Sequence, residues 1–233
     1  MKLWKKLSAS ALAVSLMATL SGWAQDENSD PAPFKRTREL SVPLFNGKDF
    51  SGFTFFMSGD ADPLKTWRVT NGVIHCTGQP AGYLRTTQVV SNYFLTVEWR
   101  FVRVAPGADN TGILVHLQSP DQVWPKSIAV QGKSGRQGDL FFIGGADSKE
   151  HKGKAANIPI LKRGDLVERP VEKPVGEWNR AEVICLHGKV ECFINGKFVN
   201  EATECSLDAG CIGFQSEGAE IEIRSIIFSP LKY

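Results

Sequence analysis

Residues 110–116 read Asn-Thr-Gly-Ile-Leu-Val-His, residues 124–131 read Trp-Pro-Lys-Ser-Ile-Ala-Val-Gln, and residues 215–224 read Gln-Ser-Glu-Gly-Ala-Glu-Ile-Glu-Ile-Arg. Each is a β-type run that carries polar side chains at alternate positions, where a plain core strand would carry apolar ones. Side chains two residues apart in a strand share one face of the sheet. The pattern therefore predicts a sheet face lined with amide, imidazole, carboxylate and guanidinium groups, which suits a polyhydroxylated ligand better than a core.

The rest of the chain, from near Val42 onward, repeats short β-type runs between turn signals such as Asn71-Gly72 and Asn195-Gly196. No window after residue 25 has a strong helical repeat. Many short strands with regularly spaced turns predict an all-β sandwich or barrel. Residues 145–176 form a long, charged, proline-containing stretch, which we expect to be a large loop over one edge or face of the sheet.

The N-terminus has the features of a secretory signal peptide. A basic leader, residues 1–6, precedes an apolar stretch over residues 7–20 and small residues that end at Ala24. The apolar stretch is too short to span a membrane comfortably. We therefore predict a signal peptide over residues 1–24, a disordered tether over residues 25–40, one sandwich domain over residues 41–233, and a periplasmic or secreted location.

Charge gives little reason to expect a polyanionic partner. The chain has 27 basic and 25 acidic residues, and removing Lys2, Lys5 and Lys6 with the leader leaves 24 basic residues against 25 acidic ones. A nearly neutral protein offers no electrostatic basis for binding nucleic acid or an anionic membrane. We predict neither partner, and the oligomeric state stays open.

The mature part contains five cysteines, an odd number without a Cys-x-x-Cys spacing. Cys185 could face Cys192 if the hairpin turned at residues 188–189, and Cys205 and Cys211 could close a small loop. The alternative is that several are buried free thiols, which pack as small apolar groups.

Eight segments in order resemble the 3-keto-disaccharide hydrolase domain family, over about residues 42–232. They are residues 44–53 (LFNGKDFSGF), 67–74 (WRVTNGVI), 82–86 (GYLRT), 94–100 (FLTVEWR), 110–113 (NTGI), 175–179 (VGEWN), 194–197 (INGK) and 213–218 (GFQSEG). The resemblance implies a concanavalin-like jelly-roll sandwich of two antiparallel sheets, with a concave face that binds sugar. It also implies cleavage of glycosides that are already oxidised to a ketone at C3.

The chain departs from the family pattern at one position that bears on activity. Where the family commonly has Glu two residues before the Gln of a Tyr/Ile-Glu-Val-Gln strand, this chain has Ala129, so a carboxylate is missing beside Gln131. His116 occupies the position of the family's usual Arg.

The implied substrate determines which groups are needed. A ketone at C3 acidifies the C2 proton, so a general base can form an enolate that expels the C1 oxygen, after which water adds. His116 is the first candidate for the base because imidazole titrates in the right range. Glu98 is the second candidate. The alternatives are a structural or exposed histidine and an ion pair across strands.

Eight further residues are candidates for substrate binding because they lie in or beside these polar runs. Amides would bond sugar hydroxyls, Trp124 would stack on a ring, and charged groups would bind hydroxyls or an oxyanion. Each also has a structural alternative, such as a surface amide, a core-edge ring or a loop cap. The candidates are Arg100, Asn110, Trp124, Lys126, Gln131, Asp139, Glu217 and Arg224.

The signal peptide predicts an exported protein, and the family resemblance implies an enzyme that cleaves 3-keto-disaccharides or other 3-keto-glycosides, with a noncatalytic carbohydrate-binding module or lectin as the alternative. A classical glycosidase would instead need two carboxylates across the bond. No cofactor and no metal site is predicted, although converging carboxylates and imidazoles make a divalent metal possible. His151, in the long charged stretch, could close over the substrate, but we expect a solvated loop histidine.

Overall fold

The computed structural model of the chain describes residues 40–105, 107, 109–155, 159 and 170–231. The predicted signal peptide and the predicted tether up to residue 39 lie outside the described residues. The strands are β1 (Val42–Pro43), β2 (Phe53–Met57), β3 (Trp67–Thr70), β4 (Val73–Cys76), β5 (Gly82–Thr86), β6 (Val90–Ser91), β7 (Tyr93–Arg103), β8 (Gly112–Leu117), β9 (Ser127–Gln131), β10 (Leu140–Ile143), β11 (Asn179–Leu186), β12 (Lys189–Ile194), β13 (Lys197–Ala202), β14 (Ala209–Ser216) and β15 (Glu220–Pro230). A short helix α1 (Pro63–Thr66) precedes β3.

The strands form two antiparallel sheets, which confirms the predicted all-β sandwich. Sheet A has the order β13-β12-β11-β7-β15-β4-β3, with β1 paired to β15. Sheet B has the order β10-β9-β8-β14-β5-β2, with β6 paired to β14. Strands that are neighbours in a sheet but distant in the chain, such as β7 with β15, give the crossed connections of a jelly roll.

The core lies between the sheets and is built from alternate residues of each strand. Leu95, Val97 and Trp99 of β7 belong to the same buried cluster as Ile113 and Phe214 of sheet B. Truncating one large side chain in such a core to alanine costs about 2–5 kcal/mol. The intervening residues of each strand face outward, so the two outer faces are free to differ in chemistry.

Strand β8 contains a β-bulge that changes which side chains face outward. Leu117 is opposite Cys211 and Leu114 is opposite Gly213, so β8 has one residue more than β14 in this interval. His116 has a φ of 53°. Consequently Leu114 and Leu117 both belong to the outer cluster of sheet B, whereas Val115 belongs to the core.

All five cysteines are free thiols in the structure. The hairpin between β11 and β12 pairs Leu186 with Lys189, so Val190 and not Cys192 is opposite Cys185. The shifted turn explains why the two sulfur atoms do not pair. Among the described residues, no helix combines the length and the apolar composition needed to cross a membrane.

Candidate functional site

A hollow of about 500 Å³ opens on the outer face of sheet B, within the size range of small-molecule sites. It collects side chains from β9, β10 and β14 and from the segments next to the strands of this sheet. We call it the sheet B hollow and define it by its lining residues: Asn110, Trp124, Ala129, Gln131, Phe141, Ile143, Gly144, Gln215 and Glu217.

The floor of the hollow places two amides on either side of a glycine. Gly112 of β8 pairs with Gln131 of β9, and β14 brings Gln215 to the other side of Gly112. A Cβ at Gly112 would lie 2.4 Å from Gln215 Oε1, so a side chain at this position would displace that amide. Gln131 Oε1 accepts a hydrogen bond from Gly132 N (3.2 Å), which leaves the amide NH2 group of Gln131 as a donor for a ligand.

Glu217 is the ionisable group at the polar end of this floor. It follows Gln215 by two residues. Its backbone forms an isolated β-bridge with Asn110, which precedes β8. Burial raises the pKa of Glu217 from 4.5 to about 7, although the hydrogen bond from Asn110 and the charge of Lys133 both act to lower it. Asn110 Oδ1 is buried and has no hydrogen-bond partner in the described part of the chain. A carboxyl group and an unpaired acceptor therefore lie together at a cavity wall.

The other end of the hollow is apolar. Ala129 of β9 pairs with Phe141 of β10, and Ile143 follows Phe141 by two residues on the same face. Gly144 has a φ of 62°, and a Cβ at this position would lie 2.8 Å from Lys126 Cα, so only glycine fits here. Trp124 adds an indole ring that is 50% exposed, which leaves this large aromatic side chain available to stack on a ligand.

The loop that carries Trp124 is tied to the sheet by an ion pair. Asp121 accepts hydrogen bonds from Arg85 Nε (2.8 Å) and Arg85 Nη2 (2.7 Å), and a third from Tyr83 Oη (2.9 Å). This bidentate pair holds the pKa of Asp121 below its usual value. Tyr83 is opposite Gln215 in the sheet, so the anchor of the loop adjoins the floor of the hollow.

The structure brings four of the ten predicted site residues into the hollow: Asn110, Trp124, Gln131 and Glu217. The sequence analysis did not select Gln215 as a site residue. The alternation could have identified it, because Gln215 and Glu217 are two residues apart and therefore share one face of the sheet. Phe141 and Ile143 were also missed, since alternating apolar residues usually indicate a core strand.

His116 does not reach the hollow, so the structure does not support its assignment as the general base. The bulge turns the ring inward, where it is 2% exposed and packs edge-on against Tyr93 of sheet A, with 5.7 Å between ring centroids. His116 Nδ1 donates to the carbonyl oxygen of Leu207 (3.1 Å), and burial lowers the pKa of the imidazole. Its geometry is that of a neutral structural histidine.

Glu98, Arg100 and Arg224 lie on the outer face of sheet A, on the opposite side of the sandwich from the hollow. Arg224 Nε donates to Glu98 Oε2 (2.9 Å), and Arg100 pairs with Glu222 (2.6 Å). The guanidinium carbons of Arg100 and Arg224 each lie 4.5 Å from the ring centroid of Trp178. The prediction that all these polar groups line one sheet face is therefore wrong. Glu98 and Arg100 lie on the outer face of sheet A, whereas Gln131 lies on the outer face of sheet B. His116 lies in the interior between the two sheets.

The two remaining candidates lie near the hollow without lining it. Lys126 is exposed beside Gly144. Asp139 is buried and pairs with Arg136 (2.8 Å).

His151, expected to be solvated, is 4% exposed and its Nδ1 lies 2.9 Å from Asp147 Oδ1. Within the described ranges, no three His, Cys, Asp or Glu side chains converge as metal ligands.

The hollow thus combines a titratable carboxyl group, several amides and an aromatic platform. A carboxylate with a pKa near neutral suits proton abstraction or donation at ordinary pH. Amide donors can stabilise charge that develops on a neighbouring oxygen. Together these groups can support acid–base chemistry on a small molecule.

Comparison with known proteins supports a link to carbohydrates. The sequence pattern of the 3-keto-alpha-glucoside-1,2-lyase-like domain matches residues 41–228. A search among curated proteins gave no match.

Three solved structures show the same fold. A proposed glycosyl hydrolase from Parabacteroides distasonis is 23% identical with a TM-score of 0.59, and the match covers 83% of this chain and 95% of that one. A second one from the same organism is 19% identical, also with a TM-score of 0.59, over 82% and 99% of the two chains. The carbohydrate-binding module CBM66 from Bacillus subtilis is 9% identical with a TM-score of 0.54, over 76% and 95%.

Proposed function

The chain belongs to the family of 3-keto-alpha-glucoside-1,2-lyase-like domains, and from this we propose that it is an exported carbohydrate-active enzyme that cleaves 3-keto-glycosides. The observation that carries the proposal is Glu217, whose carboxyl group has a pKa of about 7 in a hollow that also contains three amides and an exposed indole. The proposal moves the catalytic role from His116 and Glu98, the candidates of the sequence analysis, to Glu217.

In the proposed reaction, the Glu217 carboxylate removes the proton from C2 of the sugar, next to the C3 ketone. The electron pair of the broken C–H bond forms an enolate, and its collapse breaks the bond between C1 and the leaving oxygen. The carboxyl group, now protonated, is placed to return its proton to that oxygen. Water then adds to C1, and a proton returns to C2, which gives the free keto-sugar.

The amides of the floor have separate tasks in this scheme. The NH2 group of Gln131 and the side chain of Gln215 bind sugar hydroxyls or the enolate oxygen. Asn110 holds the Glu217 carboxyl group through a hydrogen bond. Trp124 stacks on the ligand at the rim.

The direct test compares the wild-type protein with Glu217→Gln on a 3-keto-disaccharide and on the same disaccharide before oxidation. We expect the wild type to release keto-monosaccharide from the oxidised sugar only, and Glu217→Gln to lower kcat at least about a hundredfold. The matched control is Glu98→Gln, which removes a carboxylate from the opposite sheet and should retain the wild-type rate. Activity that survives in Glu217→Gln and disappears in Glu98→Gln would return the base to sheet A.

A noncatalytic sugar-binding domain is the second candidate, and Ala129 is the observation that favours it. The family's common carboxylate is missing at this position, which lies within the hollow itself. Binding of a disaccharide in calorimetry, with no product from either form of the sugar, would establish this alternative in place of the enzyme.

A further inference from the structure

The sheet B hollow is divided along the strand direction into a polar half and an apolar half. The bridged pair Asn110 and Glu217 forms the first row, and Gln131 and Gln215 form the next row. Ala129, two residues along β9 from Gln131, begins the apolar half. Residues two apart in a strand are about 7 Å apart, so each half has about the length of one six-membered ring with its substituents.

The apolar half offers little that could bind hydroxyl groups. Its side chains are those of Ala129, Phe141 and Ile143, and Gly144 contributes only backbone. In the described part of the chain, the indole N–H of Trp124 is the single side-chain donor among the residues that line this half. A second sugar seated here would leave most of its hydroxyl groups without partners, which is unfavourable for binding. A flat apolar group would instead cover Phe141 and Ile143 and remove their surface from water.

We propose that the substrate of this site is a keto-glycoside with an aromatic or other apolar aglycone, whose sugar lies against Glu217 and the amides and whose aglycone lies between Trp124, Phe141 and Ile143. This inference rests on the proposed function for its chemical step. The bond from C1 to the leaving oxygen then points toward the apolar half, with C2 of the sugar held at the Glu217 carboxyl group. The absence of a carboxylate at Ala129 fits this arrangement, because a charge there would lie against the aglycone.

The test uses one keto-sugar with two kinds of leaving group: the 3-keto form of phenyl glucoside, in both anomers, and the 3-keto form of a glucose disaccharide. We expect kcat/KM to be at least about tenfold higher for the phenyl substrate. In Ile143→Asn, which adds an amide to the apolar half, we expect this ratio to fall at least about tenfold, mainly through the phenyl substrate. The matched control is Val89→Asn, which makes the same kind of change at a side chain that is 69% exposed outside the hollow and should leave the ratio unchanged.

Binding of the unoxidised ligands to the wild-type protein separates this inference from the proposed function. Calorimetry with phenyl glucoside and with the disaccharide needs no turnover. Tighter binding of phenyl glucoside, by about tenfold, supports the divided site even if neither keto substrate is cleaved. Cleavage of both substrates with equal or better kcat/KM for the disaccharide overturns the inference and leaves the enzyme in place. Equal binding of both ligands without any cleavage overturns both proposals.

Discussion

The pKa of the Glu217 carboxyl group is determined by its buried position and differs from that of an ordinary glutamate. The carboxyl group lies where burial outweighs both a hydrogen bond from Asn110 and the positive charge of Lys133, which itself pairs with Asp109 at 3.6 Å. A glutamate with this balance is half ionised near neutral pH, so it can both take and give a proton.

This balance predicts the pH dependence of the reaction. A base acts in its deprotonated form, so kcat/KM of the wild type should rise as the pH increases through about 7 and then level off. Lys133→Gln removes a charge that lowers the pKa, so the midpoint should move to higher pH. The measurement is kcat/KM for a keto-glycoside between pH 5 and 9, with Lys48→Gln as an exposed control. A midpoint that stays in place in Lys133→Gln would show that another group titrates.

His116 gives a prediction of a different kind, because its role is structural. Asn fits a positive φ and can donate to the Leu207 carbonyl oxygen, so His116→Asn should lose about 1 kcal/mol of unfolding free energy where His116→Ala loses about 2–3 kcal/mol. Burial lowers the pKa of His116, so below about pH 6.5 the unfolded chain binds a proton that the folded chain does not. Wild-type stability should therefore fall as the pH drops below that value, and the variants should lack this component.

Chemical denaturation at pH 5 and pH 7 measures both effects. The kcat/KM profile of His116→Asn should keep the wild-type midpoint. A profile that moves with this substitution would restore His116 to the reaction.

At the residue scale, the sequence predicted the polar part of the site where the strands are regular. Asn110, Gln131 and Glu217 follow the two-residue alternation and lie in one hollow. His116 does not, because the bulge inserts one residue and reverses the side that it faces. A bulge of this kind has no clear signal in a single sequence, which is why the imidazole was misplaced.

The element that connects β14 to β15 separates residues that are close in sequence. Gly218, with a φ of 111°, takes the chain from sheet B to sheet A, and Gly218 N donates to Gly78 O (2.7 Å). Glu217 therefore faces the hollow while Arg224 faces the opposite side of the sandwich. The strands themselves were predictable from β-type runs and turns, whereas their assignment to one sheet or the other depends on pairings far apart in the chain.

The loop over residues 118–126 should depend on its anchor. Asp121→Ala leaves the largely buried Arg85 guanidinium without its bidentate partner, at a cost of about 2–3 kcal/mol of unfolding free energy. Because Trp124 then loses its fixed position, we expect KM or Kd for the ligand to rise about threefold to tenfold with little change in kcat. Chemical denaturation and steady-state kinetics measure the two effects.

The matched control for this loop is Glu220→Ala, which removes a carboxylate from an ion pair with the exposed Arg103 (3.3 Å). Exposed pairs contribute little, so its effect should stay within about 0.5 kcal/mol, with unchanged ligand affinity. If Asp121→Ala binds ligand as the wild type does, Trp124 does not need the anchor.

Across the whole molecule, the sandwich is held by its core without disulfides. All five cysteines are free, and burial raises the pKa of the Cys185 and Cys205 thiols to about 12. We therefore expect thiol titration without reductant to give five reactive groups per chain in denaturant and slow reaction of the folded protein. Three reactive groups in denaturant would instead indicate one disulfide.

The two outer faces of the sandwich differ in their polar groups. The outer face of sheet A carries a network of ion pairs, such as Arg100 with Glu222 and Arg224 with Glu98, in which each charge has a partner of opposite sign. Sheet B carries the hollow, where Glu217 stands among amides and apolar groups. The sequence predicted a polar sheet face but assigned both sets to one face, since alternation alone does not say which sheet a strand joins.

The exposed indole of Trp124 gives the protein an optical reporter of its own site. Trp67 and Trp99 are buried in the core, at 0% and 5% exposure, and Trp178 is half-buried beside the guanidinium groups of Arg100 and Arg224, so a collisional quencher such as acrylamide would reach Trp124 most readily of these four. A ligand that stacks on this ring would shield it and change its emission. Fluorescence titration would then follow occupancy in real time without a label, for any ligand, whether or not it is turned over.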